Sequence, residues 1–168
     1  RFDGAREPVV LVHLGMSGRV FVDELHGRAL PPWRAHEHWR MRFGKLLVRY
    51  VDPRRFGTLD LVDAKSLLSH PLLAALGPEP LGVEFTPEHL FARTRGRKVA
   101  TKVLLMDAHV VVGVGNIYAS ESCFRAGVRP SRPAGRLTRA ECERLVAAIR
   151  SVLKRSIAAG GTSLRDYV

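Results

Sequence analysis

The spacing of apolar residues divides the chain into a first part that predicts β-strands and a second part that predicts helices. In the first sixty or so residues, short apolar runs and one stretch of alternating apolar and polar residues are separated by turn residues, as between antiparallel strands. The strands predicted in this way cover residues 9–14, 19–22, 39–43, 46–51 and 57–62. Strands this closely spaced favour a sandwich or a barrel-like sheet.

Beyond Asp63 the apolar residues recur every three or four positions, which is the spacing of amphipathic helices. One helix is predicted to begin at Thr86, with the threonine as its cap and Pro87 at the first helical position. The other predicted helices cover residues 66–76, 100–109, 116–126 and 138–158.

Together these elements predict an α+β protein with two domains. Residues 1–64 form a partial, antiparallel β-sandwich-like domain, and residues 88–168 form an all-α domain. Residues 65–87 are predicted to hold one helix and a linker, because prolines and glycines crowd its second half and end regular structure.

Charge is distributed unevenly between these two parts. The net charge of the chain is +11, yet residues 1–86 carry 12 Lys/Arg against 10 Asp/Glu, whereas residues 87–168 carry 15 against 6. A basic half beside a nearly neutral half suggests a polyanionic partner, most often nucleic acid. A solubilising surface, or an arginine-rich composition inherited from a GC-rich genome, would produce the same count.

Several classes of protein do not fit the composition. No apolar run approaches the ~18 residues of a membrane span, and the first seven residues do not resemble a signal peptide. The chain has two cysteines, Cys123 and Cys142, which exclude a disulfide framework and a four-cysteine zinc site within it. We expect buried thiols and a soluble, cytoplasmic protein without a bound metal in this chain.

The segment from Gly113 to Glu121 is a candidate anion site. Two glycines, Gly113 and Gly115, precede Asn116, which is expected to cap the helix that follows. The free N–H groups at the start of such a helix attract phosphate. A glycine turn between two core helices is an equally valid interpretation of the local pattern.

Two turns in the β-rich part carry candidate functional side chains. Met16 lies between glycines after a predicted strand, where it is either a flexible apolar wedge or folded back on the sheet. Arg54, Arg55 and Phe56 follow Asp52-Pro in a tight turn. Arginines suit a phosphate or a base edge, and phenylalanine suits a gap in a base stack. Solvated arginines around a core phenylalanine are the alternative.

His36 and His38 would point to one side of a strand and suggest a metal pair. No third ligand is evident near them, so an imidazole that contacts phosphate is the favoured interpretation.

Taken together, these segments resemble the formamidopyrimidine-DNA glycosylase and endonuclease VIII family, and more closely its first branch. The resemblance runs from about Val9 to the end of the chain, with its motifs in the family's order. The matching motifs are HLGMSG at 13–18, DPRRFG at 52–57, LGPEPL at 76–81, Lys102 with LMD at 105–107, GVGNIYASE at 113–121, FRAG at 124–127 and GGTSLR at 160–165.

The resemblance implies base-excision repair of double-stranded DNA that contains oxidised purines or abasic sites. Enzymes of this family flip the damaged nucleotide out of the duplex, remove the base and cut the strand, which makes them bifunctional glycosylases and lyases. By position, Met16, Arg54 and Phe56 match the side chains that fill the vacated space, and Arg54 would face the orphaned base. Family precedent also suggests a monomer.

Further matches concern the DNA backbone and the lesion. Lys102 and Asn116 match the phosphate clamp of the family's helix–two-turn–helix motif. The resemblance gives His13 and His38 contacts to the backbone near the lesion, and Glu121 a supporting role, with helix-start electrostatics as its alternative. Ser163 and Arg165 match positions near the flipped base.

The chain departs from the family at both ends. The family nucleophile is an N-terminal proline followed by glutamate, whereas this chain begins Arg1-Phe2-Asp3. The family also continues into a four-cysteine zinc finger, so zinc is expected in a full-length member. We therefore expect the 168-residue chain to be the central part of an enzyme and inactive by itself.

A non-catalytic module that binds damaged DNA is the alternative function. A third hypothesis, an RNA- or ribosome-binding protein, explains the positive charge but does not explain Met16 together with Arg54 and Phe56.

Overall fold

The computed structural model describes residues 8–27 and 29–160, and contacts divide the chain into two compact units, Arg1–His70 and Pro71–Val168. The strands described lie in the first unit and the α-helices in the second. This arrangement confirms the predicted fold class, an antiparallel β-rich part followed by a helical part.

Where the structure describes the first unit, it has five antiparallel strands in two sheets. They are β1 (Pro8–His13), β2 (Arg19–Glu24), β3 (Glu37–Phe43), β4 (Leu46–Val51) and β5 (Thr58–Asp63). β1 pairs with β5, and β4 lies between β2 and β3. The five predicted strands are confirmed, with boundaries that move by one or two residues because ladder pairing extends past the apolar runs.

The pairing brings two connections between the sheets together. Residues 14–18 lead from β1 to β2, and residues 52–57 lead from β4 to β5. Since β1 pairs with β5 and β2 with β4, the two connections run side by side. His13 lies opposite Thr58 at one end, and Arg19 lies opposite Val51 at the other.

Buried charge holds the long segment between β2 and β3. The guanidinium of Arg49 on β4 is almost fully buried, and it donates to Glu37 at 2.5 Å, to Asp23 at 3.1 Å and to the carbonyl of Pro32 at 2.6 Å. Burial alone would raise the pKa of the Glu37 carboxyl, but the hydrogen bonds from Arg49 and Arg34 lower it overall. A paired charge of this kind fixes the loop to the sheet.

The second unit is built around a continuous apolar core. Its helices are α1 (Pro71–Ala74), α2 (Pro87–Thr94), α3 (Thr101–Leu105), α4 (Asn116–Ala126) and α5 (Arg139–Ala158), with a 3-10 helix at Ala134–Arg136. The core runs from Phe85 to Leu153 and includes both cysteines. The prediction that Cys123 and Cys142 are buried thiols is confirmed.

α5 is the helix that the sequence specifies most completely. All six apolar residues that mark its predicted face are buried: Cys142, Leu145, Val146, Ile149, Val152 and Leu153. Its start is a capping box, in which Thr138 accepts from the Glu141 N–H and the Glu141 carboxylate accepts from the Thr138 N–H. Thr86 caps α2 with Pro87 in its first turn, as predicted.

We expect Glu141→Gln to change the acid stability of the helical unit. The hydrogen bond from the Thr138 N–H, reinforced by Arg132, lowers the pKa of the Glu141 carboxyl below its usual value. A carboxyl with a lowered folded-state pKa stabilises the fold at neutral pH and loses that contribution as the pH falls through this pKa. Glu141→Gln should therefore cost about 1 kcal/mol at pH 7, and thermal unfolding between about pH 5 and 2 should then depend less on pH than in the parent. Parallel pH profiles would contradict this.

The predicted helix over residues 66–76 is wrong. Ala64–Ser69 is a 3-10 helix capped by Asp63, His70 is extended, and the short α1 begins at Pro71. Pro71 disfavours the helical conformation in the residue before it, so a continuous helix cannot pass through His70.

Three smaller predictions also need correction. α3 ends at Leu105 rather than near residue 109, because the Asp107 side chain accepts from the His109 N–H and makes a turn. Asn116 is the first helical residue, and the N-cap is Gly115, which has no side-chain acceptor. His36 precedes β3 with a φ of 61°, so it does not share a strand face with His38.

None of the helices among residues 8–27 and 29–160 is long and apolar enough to cross a lipid bilayer.

Candidate nucleic-acid interface

The two adjacent connections of the first unit approach each other closely because each contains a glycine. A Cβ added to Gly15, whose φ is +64°, would lie 2.7 Å from the carbonyl carbon of Phe56, so Gly15 lets the turn that holds Met16 lie directly on the backbone of the turn that holds Phe56. A Cβ on Gly57 would lie 1.7 Å from the Tyr50 hydroxyl oxygen, so Gly57 makes room for the buried Tyr50 side chain.

The Asp52 carboxylate lies between these turns and is completely buried. Its Oδ1 accepts from the Ser17 hydroxyl at 2.5 Å, and its Oδ2 accepts from the Gly57 N–H at 2.9 Å and the Tyr50 hydroxyl at 3.0 Å. The bond from Ser17 is the main cause of a pKa for Asp52 far below the usual value, although burial opposes it. The carboxylate is therefore ionised and acts as an acceptor for both turns.

Three side chains project from this interlocked pair of turns. Met16 is 75% exposed and Phe56 is 55% exposed, which excludes both the folded-back methionine and the core phenylalanine. Arg54 is also exposed, and its guanidinium carbon lies 4.7 Å above the Phe56 ring centre. An apolar tip, an aromatic ring and a planar cation on a rigid base can enter a gap in a base stack.

The hydrogen bonds of His13 and His38 define which ring nitrogen carries a proton. His13 Nδ1 lies 3.2 Å from the Gly15 N–H and accepts from it, so the neutral ring carries its proton on Nε2. His38 Nε2 lies 2.7 Å from the Asp52 carbonyl oxygen and must donate to it. Neutral His13 can therefore donate to a phosphate through Nε2, whereas His38 needs a second proton on Nδ1 to do so.

Lys102 and Asn116 lie on two packed helices of the second unit. Lys102 is half-buried on α3. Burial raises the pKa of the Cys123 thiol on α4 to about 11, and the positive charge of Lys102 opposes this rise. Asn116 is exposed at the start of α4, after Gly113 with a φ of +72° and Gly115. The first N–H groups of α4 lack a side-chain cap there, which leaves donors for an anion.

Glu121 lies one turn too far into α4 to act on the helix start, since the first turn carries no acidic residue. Its carboxylate accepts from Arg125 at 2.7 Å and from Arg155 of α5 at 3.2 Å. The residue therefore connects α4 with α5.

The predicted lesion contacts Ser163 and Arg165 lie outside the described residues. Burial of the Cys123 and Cys142 thiols raises the pKa of each to about 11, so neither is a ready zinc ligand. No group of three or more potential metal ligands occurs within residues 8–27 and 29–160.

Sequence reasoning missed Asp52, Ser17 and Tyr50, which join the turns. The available signal was the Asp-Pro pair that opens the second turn, because aspartate in that position commonly accepts from backbone N–H groups nearby. The partnership of Asp52 with Ser17 spans 35 residues and has no local signature.

Comparison with known proteins connects both units to one family. A protein-family model for the formamidopyrimidine-DNA glycosylase N-terminal domain matches residues 1–59. A second family model, for the formamidopyrimidine-DNA glycosylase H2TH domain, matches residues 76–168. Formamidopyrimidine-DNA glycosylase of Thioalkalivibrio sulfidiphilus is 54% identical over 162 residues, covering 95% of this chain and 58% of the relative. That of Cellvibrio japonicus is 52% identical over 158 residues, covering 94% and 57%. The chain thus spans less than three fifths of these relatives.

Solved structures give the same result. Lactococcus lactis Fpg in complex with DNA that contains an abasic site has a TM-score of 0.83 at 28% identity, covering 94% of this chain and 56% of that one. MutM in complex with DNA that contains carbocyclic 8-oxo-G has a TM-score of 0.84 at 29% identity, covering 96% and 59%.

Proposed function

Because the chain belongs to the formamidopyrimidine-DNA glycosylase family, we propose that it recognises damaged sites in double-stranded DNA for base-excision repair. The observation that carries this proposal is the exposure of Met16, Arg54 and Phe56 on one rigid pair of turns. A flipped nucleotide leaves a gap, and a gap must be filled to keep the base out of the stack.

The three side chains divide the work by their chemistry. Phe56 presents a ring that wedges beside the orphaned base, and Met16 presents a flexible apolar tip that occupies the vacated space. Arg54 lies above Phe56 and offers donors to the base edge, with guanine's partner cytosine as the expected base for an oxidised purine. The structures of relatives in complex with abasic-site and 8-oxo-G DNA support this substrate class.

Contacts to the phosphate backbone position the protein and carry no sequence information. We assign them to Lys102 and Asn116 in the helical unit and to His13 and His38 in the β-rich unit. The free donors at the start of α4 and the proton on His13 Nε2 support this assignment. Glu121 supports α4 through its ion pairs. Ser163 and Arg165 remain candidates for contact with the flipped base.

We expect Lys102→Ala to weaken binding to damaged and undamaged duplexes by the same factor. Loss of one phosphate contact should also lower the slope of log Kd against log salt by ~1. Fluorescence anisotropy between 50 and 200 mM salt measures both quantities. Lys154→Ala, which removes an exposed cation from α5, should lower the slope by less. A selective loss for damaged DNA would instead place Lys102 near the lesion.

The resemblance implies that the chemistry of the family depends on an N-terminal proline followed by glutamate. The complete product of the gene should therefore form a covalent complex with abasic-site DNA in the presence of borohydride if it is a glycosylase and lyase. A complete product that binds abasic DNA without being trapped would favour the non-catalytic module. Zinc and a monomeric state stay predictions for that complete product.

A further inference from the structure

We propose that Asp52 is a positioning residue, which sets the relative placement of Met16, Arg54 and Phe56 by tying together the two turns that carry them. The inference rests on the proposed function, because it concerns how these side chains reach a gap in a duplex. It assigns a role to a buried group that does not itself touch DNA.

Ser17 provides the direct connection between the turns. Its hydroxyl donates to Asp52 Oδ1 at 2.5 Å and lies 3.3 Å from the Arg54 N–H, from which it accepts. Ser17 is the neighbour of Met16 in the chain. The backbone that carries Met16 is therefore joined by two hydrogen bonds to the backbone that carries Arg54.

The second carboxylate oxygen fixes the other end of the second turn. Asp52 Oδ2 accepts from the Gly57 N–H at 2.9 Å, directly after Phe56 in the chain, and from the Tyr50 hydroxyl at 3.0 Å. Tyr50 is buried in β4, and its ring stacks on Trp39 with ring centres 5.3 Å apart. The Tyr50 side chain, which has little freedom to move, thereby anchors the second turn to the sheet.

The bonding pattern demands an ionised carboxylate. Both oxygens face donors, and in the described part of the chain no cationic side chain forms an ion pair with Asp52. An amide in its place would set an NH2 group against N–H or O–H donors on one side. Asp52→Asn therefore breaks the connection on that side while it keeps the size of the side chain.

A positioning role follows from where the flexible parts lie. Met16, Arg54 and Phe56 are exposed, so neighbouring side chains do not hold them in place as a core would. Their placement depends on the backbone of the two turns. Since stacking and base-edge contacts are lost when groups are displaced by a fraction of an ångström to an ångström, a looser connection should impair gap filling more than general DNA binding.

The test uses Ser17→Ala in the complete product of the gene, because this change removes the connection and leaves the Asp52 bonds to Gly57 and Tyr50 in place. The probes are a duplex with tetrahydrofuran, a stable abasic analogue, opposite pyrrolo-cytosine, and the same duplex undamaged. We expect about tenfold weaker binding to the tetrahydrofuran duplex and a change of less than about twofold for the undamaged one. At saturating protein, the fluorescence of pyrrolo-cytosine should also differ from that of the parent complex, because the orphaned base is contacted differently.

Three further variants separate positioning from stability. Ser17→Thr keeps a hydroxyl and should restore most of the binding and the fluorescence. Ser66→Ala removes a hydroxyl that donates to the Asp63 carbonyl in the same unit, away from the turns, and should behave as the parent. Asp52→Asn should reproduce the Ser17→Ala fluorescence at saturation, even if its binding is weaker for reasons of stability.

Equal weakening of both duplexes by Ser17→Ala, with unchanged fluorescence at saturation, would overturn the positioning role. If the parent protein does not prefer the tetrahydrofuran duplex at all, the proposed function fails, and this inference falls with it. The parent measurement alone therefore tells the two failures apart.

Discussion

Phe56→Ala is expected to weaken binding to an abasic-site duplex by about 10-fold to 100-fold and to leave binding to undamaged DNA almost unchanged. Truncating an aromatic side chain that stacks on a base costs about 1–3 kcal/mol, and this contact exists only where the duplex has a gap. Phe56 is 55% exposed, so its removal leaves no cavity in a core. Competition between abasic-site and undamaged duplexes, followed by anisotropy, measures the selective loss.

The matched control is Phe43→Ala, which truncates a phenylalanine of similar exposure at the end of β3 in the same unit. It should bind both duplexes as the parent does. Equal losses for Phe56→Ala and Phe43→Ala would remove Phe56 from the gap-filling set. Since Arg54 lies 4.7 Å above the Phe56 ring, Arg54→Ala and Phe56→Ala should also be non-additive in a double-mutant cycle.

Gly57→Ala should strongly destabilise the β-rich unit. The new Cβ would lie 1.7 Å from the hydroxyl oxygen of Tyr50 and 2.8 Å from the carbonyl oxygen of His13. Overpacking costs about 1–3 kcal/mol, and displacement of the Tyr50 hydroxyl would add about 1 kcal/mol for its bond to Asp52. We expect a total of about 2–4 kcal/mol, which is a large part of the stability of a small unit.

Trp39 provides a local probe, because it stacks on Tyr50. In a Trp33→Phe background, which makes Trp39 the remaining one of the chain's two tryptophans, its fluorescence should report urea unfolding at a much lower midpoint for Gly57→Ala. Gly27→Ala, where a Cβ meets nothing within 4 Å, should shift the midpoint little. Equal midpoints for the two variants would show that the turn can relax around the added methyl group.

The parts of this fold that could be predicted are those set by local pattern. The buried face of α5 and the caps at Thr86 and Thr138 depend on residues within one or two helical turns, and the sequence displays them directly. The prediction of one helix over residues 66–76 is wrong because the apolar spacing continues through this segment, whereas Pro71 prevents a helical conformation at His70.

The candidate site could be predicted only in its exposed members. Met16, Arg54 and Phe56 stand out because their side chains are unusual for glycine-bounded turns, and the resemblance to a family joined them. The local pattern could not choose between exposure and burial for Met16 and Phe56, since that depends on the pairing of β1 with β5 and of β2 with β4. The role of Asp52 depends on the same long-range pairing.

The division between backbone support and exposed tips has a consequence for redesign. In the described part of the chain, the hydrogen bonds that lock the two turns use Asp52, Ser17, Tyr50 and main-chain groups, and none uses the side chains of Met16, Arg54 or Phe56. The hydrogen bonds that hold the two turns together are thus independent of the chemistry of the three exposed side chains. A library that varies Met16, Arg54 and Phe56 while retaining Gly15, Gly57 and Asp52 could therefore search for new preferences in the opposing base without destabilising the two turns. Natural sequences can diverge at the three exposed positions for the same reason.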